Sequence, residues 1–206
     1  MNEKIKKYLL SVARSTIAVK LGLEEPELKI PPGALTRVLQ EKRGVFVTLE
    51  IGGRLRGCIG HIEGILPLIL GVRENAESAA FGDPRFDPLT ASEFPNVDVE
   101  ISVLSVPRPL SYSDAEDLKA KLRVGVDGVV LSKGFAKATY LPQVWDTFRE
   151  EMGAGAGAAG AWTADDEDAL KEQFLGSLCA KAGLPYDEWR EGDVKVETYQ
   201  AEVIGE

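Results

Sequence analysis

Histidine and cysteine are scarce in this chain: one His and two Cys among 206 residues. Cys58 and Cys179 stand too far apart in sequence to suggest a disulfide framework. They suit a reducing compartment, so a cytoplasmic location is expected. Neither Cys-x-x-Cys nor His-Glu-x-x-His occurs, and no metal site and no cofactor are expected. No apolar run approaches the ~20 residues that cross a bilayer, so no membrane partner is expected. The stretch Met1–Lys7 lacks the apolar core of a signal peptide, and no leader is expected. Positive charge is also short. Lys and Arg total 24 against 33 Asp and Glu, a formal charge of −9. That balance argues against a chain built to coat nucleic acid, though a local basic patch stays compatible with it. What remains is ordinary: 44% apolar and 28% charged residues, at a length that suits one domain or two intimate subdomains.

The scarce residues gather in one place. Val45–Ile51 and Arg54–His61 are two alternating runs separated by Gly52-Gly53, a hairpin signal. The second run holds Arg56, Cys58 and His61. A three-residue loop, Gly52-Gly53-Arg54, matches apolar with apolar: Ile51 opposite Leu55, Val47 opposite Ile59. It sets Glu50 opposite Arg56, Leu49 opposite Gly57 and Thr48 opposite Cys58. A slip of one residue exchanges the faces, so burial selects this register. One face then carries Phe46, Thr48, Glu50, Arg56 and Cys58. Arg56 and Cys58 are same-face neighbours, and a nearby cation favours a thiolate, so Cys58 is a candidate nucleophile. Its competing role is that of a small buried hydrophobe. Gly57 and Gly60 leave room for a ligand or another backbone. His61 faces away from Cys58 on a continuing strand. It could serve as a base only if the chain turns at Gly60.

A second unusual segment is Phe81-Gly82-Asp83-Pro84-Arg85-Phe86-Asp87-Pro88-Leu89. Its prolines stiffen a loop that holds Arg85 between two carboxylates. Such a loop either presents binding groups, Asp83 and Arg85, or pairs its own charges. Around these two segments the spacing predicts a helix over 3–21, a short turn of helix over 35–41, a helix opening near Pro67, and a strand over 97–104. Further on it predicts a helix over 113–121, a hairpin at Asp127-Gly128, a strand over 134–140 and a helix over 143–152. A helix capped by Thr163 should run to about Lys181 and bury Cys179, followed by one last strand over 194–204. Gly153–Ala161 contains Gly155, Gly157 and Gly160 at the spacing of a dinucleotide fingerprint. A helix precedes it where a strand is required, so it reads as a flexible linker.

Leu55-Arg56-Gly57-Cys58-Ile59-Gly60 resembles the signature hexapeptide of the AMMECR domain family. Residues 80–89, 128–131, 138–144 and 178–184 resemble further family segments in the same order, and Gly153–Ala161 is similar to an insertion. The resemblance implies an α/β fold of the α+β type: one domain of two packed subdomains with antiparallel sheets, flanking helices and a shared cleft near the hexapeptide. It supplies no reaction. It implies links to Memo-like and radical-SAM proteins, hence a modification pathway, and also a nucleic-acid or regulatory role that the acidic balance disfavours. Two functions follow. In one, an enzyme or enzyme component takes a small or peptide-like anionic ligand, with Cys58 reactive and Arg56 and Arg85 holding the anion. In the other, a non-catalytic module recognises a ligand or protein partner, with Cys58 packed and Arg56 held by Glu50.

Overall fold

The computed structural model describes residues 1–24, 35–153, 163–191 and 193–205. The elements, in chain order, are α1 (Glu3–Lys20), α2 (Leu35–Gln40), β1 (Val45–Ile51), β2 (Arg54–His61), α3 (Leu68–Phe81), β3 (Val97–Leu104), β4 (Arg108–Pro109), α4 (Ala115–Lys121), β5 (Gly128–Lys133), β6 (Ala136–Tyr140), α5 (Val144–Glu151), α6 (Ala164–Lys181), β7 (Lys195–Tyr199) and β8 (Ala201–Gly205). Two four-stranded sheets, ordered β2-β1-β3-β8 and β4-β7-β5-β6, make this a mixed α/β fold with antiparallel pairing. The chain divides into a first unit, Met1–Val106 with Glu202–Glu206, and a second, Pro107–Ala201.

In the first unit, apolar spacing explains the helix on the sheet. Ile5, Leu9, Val12, Ala13 and Ile17 recur at helical intervals and are all buried. Asn2 caps the helix, its side chain accepting the Lys4 N–H at 2.9 Å. These residues join Val45, Val47 and Leu49 of β1 and the buried stripe of α3 in one core. The central strand β1 pairs with β2 on one side and β3 on the other. That leaves β2 at the edge of its sheet.

The hairpin turn differs from expectation. It is a two-residue turn at Gly52-Gly53, with Ile51 opposite Arg54 and Glu50 opposite Leu55. Both glycines have positive φ, 58° and 72°, as a type I′ turn requires. A β-bulge then absorbs Arg56 as an extra residue, and Leu49 faces Gly57 as the burial argument demanded. Beyond the bulge the expected register holds: Thr48 faces Cys58 and Val47 faces Ile59. Before it, Leu55 is moved onto the exposed side and Glu50 loses Arg56 as a partner.

The second unit packs α4, α5 and α6 against its sheet. Trp145 stacks on Phe174 at 3.5 Å between ring centroids, and its indole N–H donates to the Asp127 carbonyl at 2.8 Å. Thr163 and Asp166 form the capping box of α6, whose buried stripe includes Cys179. Asp127-Gly128 is not a hairpin turn. Asp127 instead accepts from the Arg123 side chain and backbone, and the hairpin turn lies at Gly134-Phe135. The expected final strand is two strands, β7 in the second sheet and β8 in the first. The Gly/Ala tract, apart from Gly153, lies outside the described residues.

Candidate functional site

The β2 edge organises the site. Gly57 faces α3 so closely that an added Cβ would sit 2.1 Å from the Ala79 carbonyl oxygen. Gly60 faces the Phe46 ring, where a Cβ would come within 2.3 Å. The glycines therefore admit parts of the fold itself. Between them, Cys58 turns its backbone N–H outward from the sheet. That N–H donates to Asp83 Oδ2 at 2.9 Å.

Asp83 is buried, with a side chain 2% exposed. Its carboxylate also accepts the Arg85 backbone N–H at 3.1 Å, Arg85 Nε at 2.9 Å and Arg85 Nη2 at 2.6 Å. The Arg85 guanidinium holds this carboxyl well below the usual carboxylate range, and the N–H donors act in the same direction against burial. Arg85 Nη2 further donates to the Cys58 carbonyl at 3.4 Å. The Asp83-Pro84-Arg85 turn thus occupies both outward backbone groups of Cys58 on an edge strand that would otherwise be free to pair.

Arg56 leaves the bulge toward a different carboxylate. Its Nε and Nη2 donate to the two oxygens of Glu93, at 2.9 and 3.3 Å. This bidentate pair replaces the expected contact with Glu50. Glu93 also accepts the Thr90 backbone N–H at 2.9 Å and its hydroxyl at 2.8 Å. Arg56, followed by these two donors, draws its pKa down to about 2. The Phe86 ring brings the two arginines together, with the guanidinium carbon of Arg56 5.8 Å and that of Arg85 5.5 Å from its centroid.

Arg56, Cys58, Asp83 and Arg85 therefore converge, although a helix separates them in sequence. The thiol of Cys58 accepts the Thr48 hydroxyl at 3.3 Å. His61 does not join them. It pairs with Val45 at the far end of β2, three residues from Cys58, so the pleat sets the two side chains on opposite faces. His61 instead lines a separate recess of about 220 Å³ with Arg43, Glu63 and Glu74. All these residues belong to the first unit. Glu93 and Phe86 were not singled out from sequence. Thr90-Ala91-Ser92-Glu93 does carry the Thr-x-x-Glu pattern of a capping box, a signal that Glu93 is locally held.

The sequence model of one protein family, AMMECR1, matches residues 10–204. The chain belongs to the AMMECR1 family. A protein of Methanothermobacter thermautotrophicus is 40% identical over 198 residues, covering 96% of this chain and 92% of that one. A Pyrococcus furiosus protein is 38% identical over 207 residues, covering 97% and 87%. The crystal structure of an uncharacterised Pyrococcus horikoshii protein superposes with a TM-score of 0.76 at 35% identity, covering 98% of this chain and 92% of that chain. These AMMECR1 relatives are uncharacterised, so membership brings no reaction with it. Among the described residues of this AMMECR1 chain, no helix is long and apolar enough to cross a membrane.

Proposed function

We propose that the face formed by Arg56, Cys58, Arg85 and Phe86 recognises a small or peptide-like anionic ligand, and that the chain works there by binding. The observation that carries this reading is Arg85. Asp83 fixes one edge of its guanidinium, yet the side chain is 53% exposed and Nη1 has no partner among the described residues. A guanidinium held rigid through Nε and Nη2, with Nη1 left to donate, loses little entropy when an incoming carboxylate binds Nη1. Phe86, lying against both guanidiniums, offers apolar contact to the rest of such a ligand.

Covalent chemistry at Cys58 is less well supported. The charge of Arg56 is already neutralised by Glu93, and the hydrogen-bond partner of the thiol is a hydroxyl. A nucleophile of this kind needs a base within ~3 Å, and the only His lies on the other face. In this reading Cys58 packs the strand edge while its backbone is read by Asp83 and Arg85. A Memo-like or radical-SAM protein meeting this face in a modification pathway is the partner the family resemblance suggests.

The test is an NMR titration of ¹⁵N-labelled protein with a blocked triglutamate peptide. Saturable shifts are expected at residues 56–60 and 83–93, and Arg85→Ala should weaken binding about tenfold, the loss of one charge-assisted contact. Absence of saturation, or undiminished binding by Arg85→Ala, would overturn the proposal.

A further inference from the structure

The second unit holds a recess of about 530 Å³, lined by residues 109–113, Ser132 and residues 194–197. Its origin is the shortness of β4. That strand pairs only Arg108 and Pro109 with Thr198 and Glu197. Beyond it, the following segment touches β7 at two points, the Leu110 N–H on the Val196 carbonyl at 2.8 Å and the Tyr112 hydroxyl on the Val194 carbonyl at 2.5 Å. The segment lies against β7 without forming a ladder.

The lining carries one charge of each sign, Lys195 and Glu197. Lys195 and Glu197 are two apart on β7, so they share a face, roughly 7 Å apart along the strand. Val194 and Val196 alternate with them and are buried in the core. Ser132 is the cross-strand neighbour of Lys195 and shares its face. Among the described residues, neither the Lys195 ammonium nor the Glu197 carboxylate has an ion-pair or hydrogen-bond partner, and neither do the hydroxyls of Ser111 and Ser132. Three basic side chains of the same unit are paired: Lys119 with Glu116, Asp168 and Glu172, Lys121 with Asp117, and Arg123 with Asp127.

We propose that this recess binds a small zwitterion, an α-amino acid or a dipeptide. Lys195 takes its carboxylate and Glu197 its ammonium group, while Ser111 and Ser132 supply neutral hydrogen bonds. Unpaired groups of opposite sign, set on one face of a rigid strand inside a recess, match a ligand that carries both charges. A simple anion or cation would satisfy one of them and be repelled by the other.

The experiment is a ¹⁵N NMR titration of the full chain with L-alanine and with L-alanyl-L-alanine, using acetate and ethylammonium as single-charge controls. Either zwitterion should give saturable shifts at 109–113 and 194–197, and whichever binds tighter sets the ligand's length. Lys195→Met and Glu197→Gln should each weaken binding about tenfold, with spectra unchanged elsewhere as proof of folding. Among the described residues neither side chain holds the fold through a hydrogen bond or ion pair, so both variants should fold. Three results would overturn the proposal: no saturation by either zwitterion, undiminished affinity in both variants, or acetate binding as well as alanine.

Discussion

Asp83→Asn separates the electrostatic work of the Asp83 side chain from its shape. The native carboxylate accepts four N–H donors, two on each oxygen. Oδ2 takes Cys58 N–H and Arg85 Nη2, while Oδ1 takes Arg85 N–H and Arg85 Nε. An amide keeps the volume but has one acceptor oxygen, so either orientation turns an NH₂ group against two donors. Each hydrogen bond to a charged group contributes about 1.5–3 kcal/mol. Two are lost, but Arg85 is half-exposed and regains water, which offsets much of its share. The net cost is about 2–3 kcal/mol. All three Trp residues fall within residues 107–201, whereas Asp83 and its partners belong to the first unit, so a probe inside the first unit is needed. The measurement is therefore native-state amide hydrogen exchange in β1, β2 and β3, with and without urea. Protection should fall throughout the sheet by the stated amount, and most at the Cys58 amide. A loss below ~0.5 kcal/mol with Cys58 protection unchanged would refute the reasoning, since that is the range of an ordinary surface substitution.

Gly57→Ala should cost more than about 3 kcal/mol or prevent folding, because its Cβ would meet the Ala79 carbonyl at 2.1 Å; thermal unfolding by circular dichroism reads it, and a near-native Tm would count against the packing described. The Arg56–Glu93 pair gives an acid-sensitive contribution. Glu93 has its pKa lowered from 4.5 to about 2, so the stabilisation is complete above pH 4.5 and is lost as the pH falls toward 2. Glu93→Gln should flatten that part of the stability profile, and an unchanged slope would contradict it. Cys58 should react with a neutral alkylating agent in the folded protein while Cys179, fully buried, waits for unfolding. Arg56→Ala should not slow the Cys58 reaction, because Glu93 already neutralises Arg56; slowing would restore the case for an activated thiol.

The hairpin shows what periodicity reveals and what it misses. The alternation of Val45, Val47 and Leu49 determined which face is buried, and Thr48 opposite Cys58 followed from it. The two glycines demanded a tight turn, and the burial pattern demanded a longer one. A bulge at Arg56 satisfies both, and a face-by-face reading of strands contains no such option. At Asp83-Pro84-Arg85 the alternative of self-paired charges was legible because the partners lie two residues apart. Arg56 and Glu93 are 37 residues apart, and their meeting depends on where β2 and the turn after α3 end in space. The residues from Val194 to Ile204 read as one strand because spacing carries no label for the sheet a strand joins.

The placement of β8 has a consequence during synthesis. The first sheet is ordered β2-β1-β3-β8, and in sequence nearly the whole second unit, residues 107–200, separates β3 from β8. A growing chain can therefore pair β1, β2 and β3 long before the strand that covers the other edge of β3 has been made. Until then Val97–Leu104, apolar and alternating, presents an open row of backbone donors and acceptors. A nascent chain halted after Gln200 would contain almost the whole second unit and still expose that edge. Self-association through β3 is the expected fate of such a chain, and binding along β3 is where a chaperone would delay it.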